Sequence, residues 1–262
     1  MNNNDFIFGI RPIIEAIRSG KEIEKILIKK GLKGELFIEL NELIQENNLH
    51  YQLVPEEKLN RLTRKNHQGV VAFISPVPFY DAEEIITRTY ENGETPFFVY
   101  LDQVSDVRNF GAIVRNAECA GVHAILVPEK GSAQIGADAV QTSAGALHIV
   151  PVCKIKNPVK ALETIKKNGV KIIAATEKAD IDYTEAQMDG PCLLVMGAED
   201  QGISPEILRI ADEYVRIPVF GKIESLNVAV ASGILMYEVV RKRKEENRSE
   251  ERRVGKECSS PC

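Results

Sequence analysis

The apolar positions of this chain fall into two alternating patterns, short continuous or every-other-residue runs and longer stretches at helical spacing. Pro12 stands where the first turn of a helix tolerates its missing N–H, Ile13, Ile14 and Ile17 follow as one stripe, and Gly20 ends it. Residues 23–30 alternate apolar and charged side chains and predict a half-buried strand. Apolar residues at 36, 37, 40, 43 and 44 predict a helix over 35–46. A short strand at 50–54, a helix at 56–62 behind Pro55 and an apolar strand at 69–74 complete a small α/β unit, residues 5–76. That is near the lower size at which a domain folds alone.

Residues 77–95, which hold Pro78 and are flanked by Pro76 and Pro96, read as a linker that carries a helix over 80–90. Beyond it, strands are predicted at 97–101, 123–127, near 147–153, 170–175, 192–196 and 214–217. Helices are predicted at 109–120, near 135–142, 158–168, 204–211 and from about 225 to 245. Strand and helix alternate, so residues 96–245 should form a mostly parallel sheet and the chain belongs to the α/β class. In the first helix Asn109 is the candidate N-cap, and Phe110, Ile113, Val114 and Ala117 make its apolar face. Residues 246–262 are polar and aperiodic and are expected to be a disordered or appended tail.

Composition narrows the class. The chain has 262 residues, 44% hydrophobic and 27% charged, as in ordinary globular proteins. No apolar run approaches the ~20 residues that span a bilayer. The first residues have neither the basic nor the apolar region of a secretory signal, so a cytoplasmic location is expected. Five scattered cysteines form no C-x-x-C pair, and no histidine spacing suggests zinc, so no metal is expected. His123 and His148 lie in predicted strands and read as core residues, and Asp102 and Asp106 read as turn residues. A net charge of −5 argues against a general nucleic-acid coat. Arg11, Arg64, Lys65 and His67 nevertheless gather cationic character on the small domain, a plausible phosphate-facing surface.

Both the dinucleotide fingerprint and the P-loop are missing, which argues against a dinucleotide-dependent oxidoreductase. Three polar or glycine-bearing strand ends remain. They are Asp106-Val-Arg-Asn-Phe-Gly-Ala-Ile-Val-Arg115, Leu194-Val-Met-Gly-Ala-Glu-Asp-Gln-Gly202 and Ile217-Pro-Val-Phe-Gly-Lys-Ile-Glu-Ser-Leu-Asn227. In order and spacing these stretches resemble the three motifs of the SpoU (TrmH-type, SPOUT) RNA ribose 2′-O-methyltransferases. Phe8-Gly-Ile-Arg-Pro12 and His67-Gln-Gly69 resemble parts of that family's L30e-like RNA substrate-binding domain. Val107, Asp200, Gln201 and Ala229 depart from residues common in the family, none of them at a functional position.

The resemblance implies a C-terminal parallel sheet closed by a deep trefoil knot, a homodimer, and S-adenosylmethionine as methyl donor. It implies transfer of a methyl group to a guanosine ribose 2′-hydroxyl in 23S rRNA, with tRNA as the alternative substrate. It assigns catalysis to Arg115, with Asn109, Glu199, Ser225 and Asn227 orienting Arg115 and the ribose. Thr176, Met196, Gly197, Ile217, Pro218 and Leu226 would hold the cofactor, Gly197 and Gly221 by letting the backbone approach it. Arg108 would join the RNA-facing residues. A guanidinium is a poor base, so Arg115 acts either as a proton acceptor in an unusual setting or as a stabiliser of the developing alkoxide. Asn227 could equally cap the last helix. A non-catalytic RNA-binding protein is the competing reading; the intact polar set argues against it.

Overall fold

The computed structural model describes residues 6–223 and 225–257, with side chains to Arg248. It divides into two compact units, one holding the chain up to Pro78 together with Ile135–Val140, the other the remainder.

In the first unit β1 (Phe6–Phe8), β2 (Ile23–Lys29), β3 (Tyr51–Val54) and β4 (Val70–Ile74) form a sheet in the order β1-β4-β2-β3. β1 was not anticipated: three residues are too few for an alternation to be visible. It pairs antiparallel with β4, while β2 pairs antiparallel with β4 and parallel with β3. α1 (Ile10–Arg18) and α2 (Glu35–Glu46) cover one face through a cluster that includes Ile13, Ile26, Ile28, Leu40 and Val70. α3 (Glu56–Leu62) covers part of the other, where Leu27, Val54, Leu59 and Val71 are buried. The two stretches that resemble the substrate-binding domain meet. Gly9 N–H donates to the Val70 carbonyl at 3.1 Å, and Ile10 N–H to Gln68 Oε1 at 3.1 Å.

The second unit contains α4 (Ala82–Glu91), β5 (Phe97–Asp102), α5 (Val107–Cys119), β6 (Ala124–Pro128) and, after α6 (Ala137–Thr142), most of which belongs to the first unit, β7 (Val152–Ile155). There follow α7 (Pro158–Lys167), β8 (Lys171–Ala175), β9 (Ile181–Asp182), β10 (Cys192–Gly197), α8 (Pro205–Leu208), β11 (Glu213–Arg216) and α9 (Val228–Glu257). The sheet has the order β7-β6-β5-β10-β8-β11-β9, and every pairing in it is parallel. Buried on both faces, its strands read as nearly continuous apolar runs. One face packs on α4, α7 and α8 through Ile86, Leu162, Ile165 and Ile207. On the other side α5 packs against α9, where Asn116 Nδ2 donates to the Ala229 carbonyl at 3.1 Å.

Several expectations are corrected. Residues 77–95 do not merely link the units, because Ala82, Ile85 and Ile86 of α4 belong to the core of the second. The strand expected near 147–153 begins only at Val152; residues 146–148 make a single 3₁₀ turn, and His148 is exposed instead of core. The N-cap of α5 is Asp106, whose carboxylate accepts from Asn109 N–H at 2.8 Å, so the Asn109 side chain is free for another use. α9 runs on to Glu257 through residues expected to be irregular. Lys, Glu and Arg are good helix formers, and an established helix propagates at little cost. Residues 258–262 of that tail lie outside the described residues.

Candidate active site

Three loops leave the carboxyl ends of β8, β10 and β11 side by side, where open parallel sheets place their ligands. Between them lies a cleft of about 360 Å³. Thr176 and Lys178 line it from the first loop, Met196, Gly197 and Glu199 from the second, and Ile217, Val219, Ser225 and Leu226 from the third. Of the six residues expected to hold a cofactor, five line this cleft and Pro218 does not. Among the described residues the backbone N–H groups of Ile217 and Leu226 make no hydrogen bond, so the cleft wall offers free donors.

The second loop is shaped by its glycines. A Cβ on Gly197 would fall 2.2 Å from the carbonyl carbon of Gly202, and Gly202 N–H closes the turn onto the Ala198 carbonyl at 2.8 Å. The missing Cβ of Gly197 therefore makes room for its own loop, and Gly221 has open space around its missing Cβ. Past the turn, Ser204 N–H donates to the buried Asp102 carboxylate at 2.7 Å and ties the loop to the end of β5. Tyr100 OH donates to the other Asp102 oxygen at 3.3 Å; burial first, then that carboxylate, push the phenol above its usual range.

Beside the cleft three of the expected catalytic residues converge. Asn227 Nδ2 donates to Glu199 Oε1 at 2.6 Å and to Asn109 Oδ1 at 2.9 Å, and Asn109 Nδ2 donates to Glu199 Oε1 at 3.3 Å. Val228 N–H, at the start of α9, also donates to Glu199 Oε1, at 3.2 Å. The carboxylate thus sits at the positive end of a long helix. Asn227 Oδ1 accepts from Ala229 and Val230 N–H at 3.0 and 3.3 Å, so the residue caps α9 and joins the network at once.

Arg115 does not join them. Six residues after Asn109 at ~100° per residue, it points about 120° away around α5. It is exposed and has no hydrogen-bond or ion-pair partner among the described residues. Arg108 lies one position before Asn109 and is likewise exposed, as are Arg11, Arg64 and Lys65 of the first unit. His67 is not a surface residue. It is buried, its Nε2 lies 3.0 Å from Asn60 Oδ1, and its Nδ1 accepts from Gly69 N–H at 3.0 Å. Both ring nitrogens are used inside the domain, which corrects its expected RNA contact. Among the cleft residues, sequence reasoning missed Lys178 and Val219, which only their closeness to strand ends could have marked, and Ala231, on the first turn of α9.

A parallel sheet with a ligand-sized cleft over its carboxyl edge and a polar network beside it defines an α/β domain built to bind and position a small molecule. Comparison with known proteins gives the family. Residues 96–237 match the SpoU rRNA Methylase family, and residues 6–80 match a domain described as RNA 2′-O ribose methyltransferase substrate binding. YacO of Bacillus subtilis, which carries the name of the TrmH tRNA/rRNA methyltransferase family, is 31% identical over 92% of this chain and 96% of its own length. A Staphylococcus saprophyticus protein with the same family name is 34% identical over 90% and 95%. The A. aeolicus TrmH/SpoU tRNA modifying enzyme is 36% identical with a TM-score of 0.54, over 63% of this chain and 85% of that one. The AviRb SpoU methyltransferase of Streptomyces viridochromogenes, solved with AdoMet, shares the fold at a TM-score of 0.59, with 92% and 90% covered. The chain belongs to the SpoU/TrmH family of RNA 2′-O-ribose methyltransferases.

Proposed function

We propose that the protein transfers a methyl group from S-adenosylmethionine to the 2′-hydroxyl of a guanosine ribose in 23S rRNA, in the cytoplasm. The reading takes as its pattern RlmB, a two-domain family member with that activity. The observation that carries the reading is the cleft at the ends of β8, β10 and β11 with the Asn109–Glu199–Asn227 network at its side. The cleft is of a size for one small ligand. Its apolar walls, Met196, Val219 and Leu226, suit an adenine ring, and the free N–H groups of Ile217 and Leu226 suit its edge. When bound, the donor supplies an electrophilic methyl group on a sulfonium, so the reaction needs no metal.

The remaining work falls to the chain. A ribose hydroxyl is a poor nucleophile and must be held in line and relieved of its proton. Glu199, fixed by three donors on one oxygen, keeps its second oxygen available to orient a hydroxyl. Ser225 stands on the cleft wall for the same purpose. Arg115 supplies fixed positive charge toward the developing alkoxide and the RNA phosphate, and the hydroxyl proton passes to water as the new O–C bond forms. Because Arg115 turns away from its own network, it completes the cleft of a second copy, and the active unit is a homodimer. Val230 and Tyr237, each 53% exposed and seven residues apart on one side of α9, support that pairing. The knot through the second and third loops belongs to the same reading.

The test is nucleoside mass spectrometry on unmodified 23S rRNA incubated with the protein and S-adenosylmethionine. A new 2′-O-methylguanosine, absent with Arg115→Ala, is expected. Methylation of tRNA but not of 23S rRNA keeps the reaction and overturns the target. Methylation of neither overturns the proposal.

A further inference from the structure

The four-stranded sheet of the first unit has one face that α3 covers only in part. The register places Phe6 opposite Phe73, Phe8 opposite Val71, Lys25 opposite Phe73 and Leu27 opposite Val71. Opposed residues share a face. Val71 and Leu27, under α3, are fully buried together with Val54 and Leu59. Phe6, Phe8 and Phe73 pack at the margin of this cluster and remain partly exposed. Their rings form a strip, with centroids 6.1 Å apart for Phe6 and Phe73 and 6.4 Å for Phe6 and Phe8. Lys65 Nζ stands 5.9 Å from the Phe8 ring, and Lys25 borders Phe73 from the neighbouring strand. Neither lysine, nor the exposed Arg64 beside Lys65, is in an ion pair among the described residues.

A row of aromatic rings on an open sheet face, edged by unpaired cations, is chemistry for unstacked nucleotides. Bases lie on the rings and phosphates meet the lysines. The three rings keep part of their surface in solvent beside cations that have no counter-charge among the described residues. We propose that this face, Phe6, Phe8 and Phe73 with Lys25 and Lys65, binds a short single-stranded segment of the RNA substrate by stacking. The inference rests on the reading that the chain acts on RNA, and goes beyond it by assigning the surface and the mode of contact.

The experiment uses the full chain. Leucine keeps apolar volume and removes the π-face, so Phe8→Leu/Phe73→Leu is the first variant, with thermal unfolding measured alongside. Its affinity for a fluorescein-labelled single-stranded RNA of roughly eight nucleotides should fall about tenfold or more, and KM for the RNA substrate should rise with it. Affinity for S-adenosylmethionine should hold. Lys65→Gln should lower the slope of log affinity against log salt by about one. Wild-type affinity in the leucine variant overturns the proposal. Should that variant fail to fold, an unchanged salt slope in Lys65→Gln overturns it instead. A wild-type protein that methylates RNA while the variants bind normally refutes this surface alone. One that neither binds the oligomer nor methylates RNA refutes the proposed function too.

Discussion

Asn227 and Glu199, 28 residues apart in sequence, are joined by a 2.6 Å hydrogen bond that locks the start of the last helix to the loop after β10. The same asparagine caps that helix, so one side chain sets both a stability and a site geometry. Removing Asn227 to Ala should cost about 1 kcal/mol of stability from the lost cap. Glu199→Gln preserves the shape and removes the charge that three donors converge on. Hydrogen bonds to a charged group are worth ~1.5–3 kcal/mol, so the methylation rate should fall about tenfold to a hundredfold in a folded protein. Thermal unfolding and a single-turnover methyl-transfer assay on both variants separate the two effects. Equal rates for Glu199→Gln and wild type would remove Glu199 from the site.

Gly197 and Gly221 should behave oppositely. Gly197→Ala puts a Cβ 2.2 Å from the Gly202 backbone, which no side-chain rotation relieves. The loop must shift, at a cost of order 1–3 kcal/mol, and binding of S-adenosylmethionine should weaken with it. Gly221→Ala meets nothing within 4 Å and should leave the unfolding temperature unchanged. Calorimetry on the pair decides. A neutral Gly197→Ala would mean the turn of residues 198–202 is not rigid in solution.

These residues also show what a sequence discloses. Glu199, Gly197 and Gly202 stand in a spacing that marks a strand end and a tight turn, and that much was legible. That Gly197 makes room for its own loop was not, since the close approach to the Gly202 backbone, five residues on in sequence, depends on how the turn closes in three dimensions. Asn109 read as a cap because its type and position fit one. Asp106, three residues earlier, fits equally well, and only the network with Glu199 and Asn227 settles which side chain is spent on the backbone. His67 followed a cationic cluster in sequence, yet its ring turns inward to Asn60 and Gly69. The long helix α9 outran its apolar stripe because propagation depends on propensity, not on a buried face.

Thiol chemistry offers a check on the core of the second unit. Burial pushes Cys153 up to about 12 and Cys192 up to about 11, the Arg243 guanidinium opposing the second shift only in part. The thiolate is the reacting species, so neither should alkylate near pH 8 on a timescale of minutes. Cys119 is exposed at the end of α5 and should react. The measurement is mass-mapped iodoacetamide labelling of the chain with Cys258 and Cys262 replaced by serine. Labelling of Cys192 at the rate of Cys119 would mean that the amino end of β10 opens readily.

Acid should reveal how β8 is held at its outer side. Asp212 Oδ2 accepts from Ile172 N–H at 2.9 Å, and Oδ1 pairs with Lys166 Nζ at 2.7 Å. Burial alone would raise this carboxyl. The Lys166 hydrogen bond, the Ile172 N–H and the charges of Lys166 and Lys171 outweigh it and hold the group below the ordinary value of 3.8. A carboxyl lowered on folding stabilises the native state above its unfolded value, and that contribution is lost as pH falls through the folded value. Asp212→Asn should therefore lower the unfolding temperature at neutral pH, where wild type keeps the charge. The gap should shrink once the pH drops below about 3.8, as the wild-type carboxyl takes up its proton. Lys166 and Asp212 are both partly exposed, so solvent screening keeps the neutral-pH difference small, and added salt should reduce it further. Circular-dichroism melts of both proteins across that range supply the comparison. A gap that stays constant with pH would assign the effect to the shape of the side chain at position 212 and not to its charge.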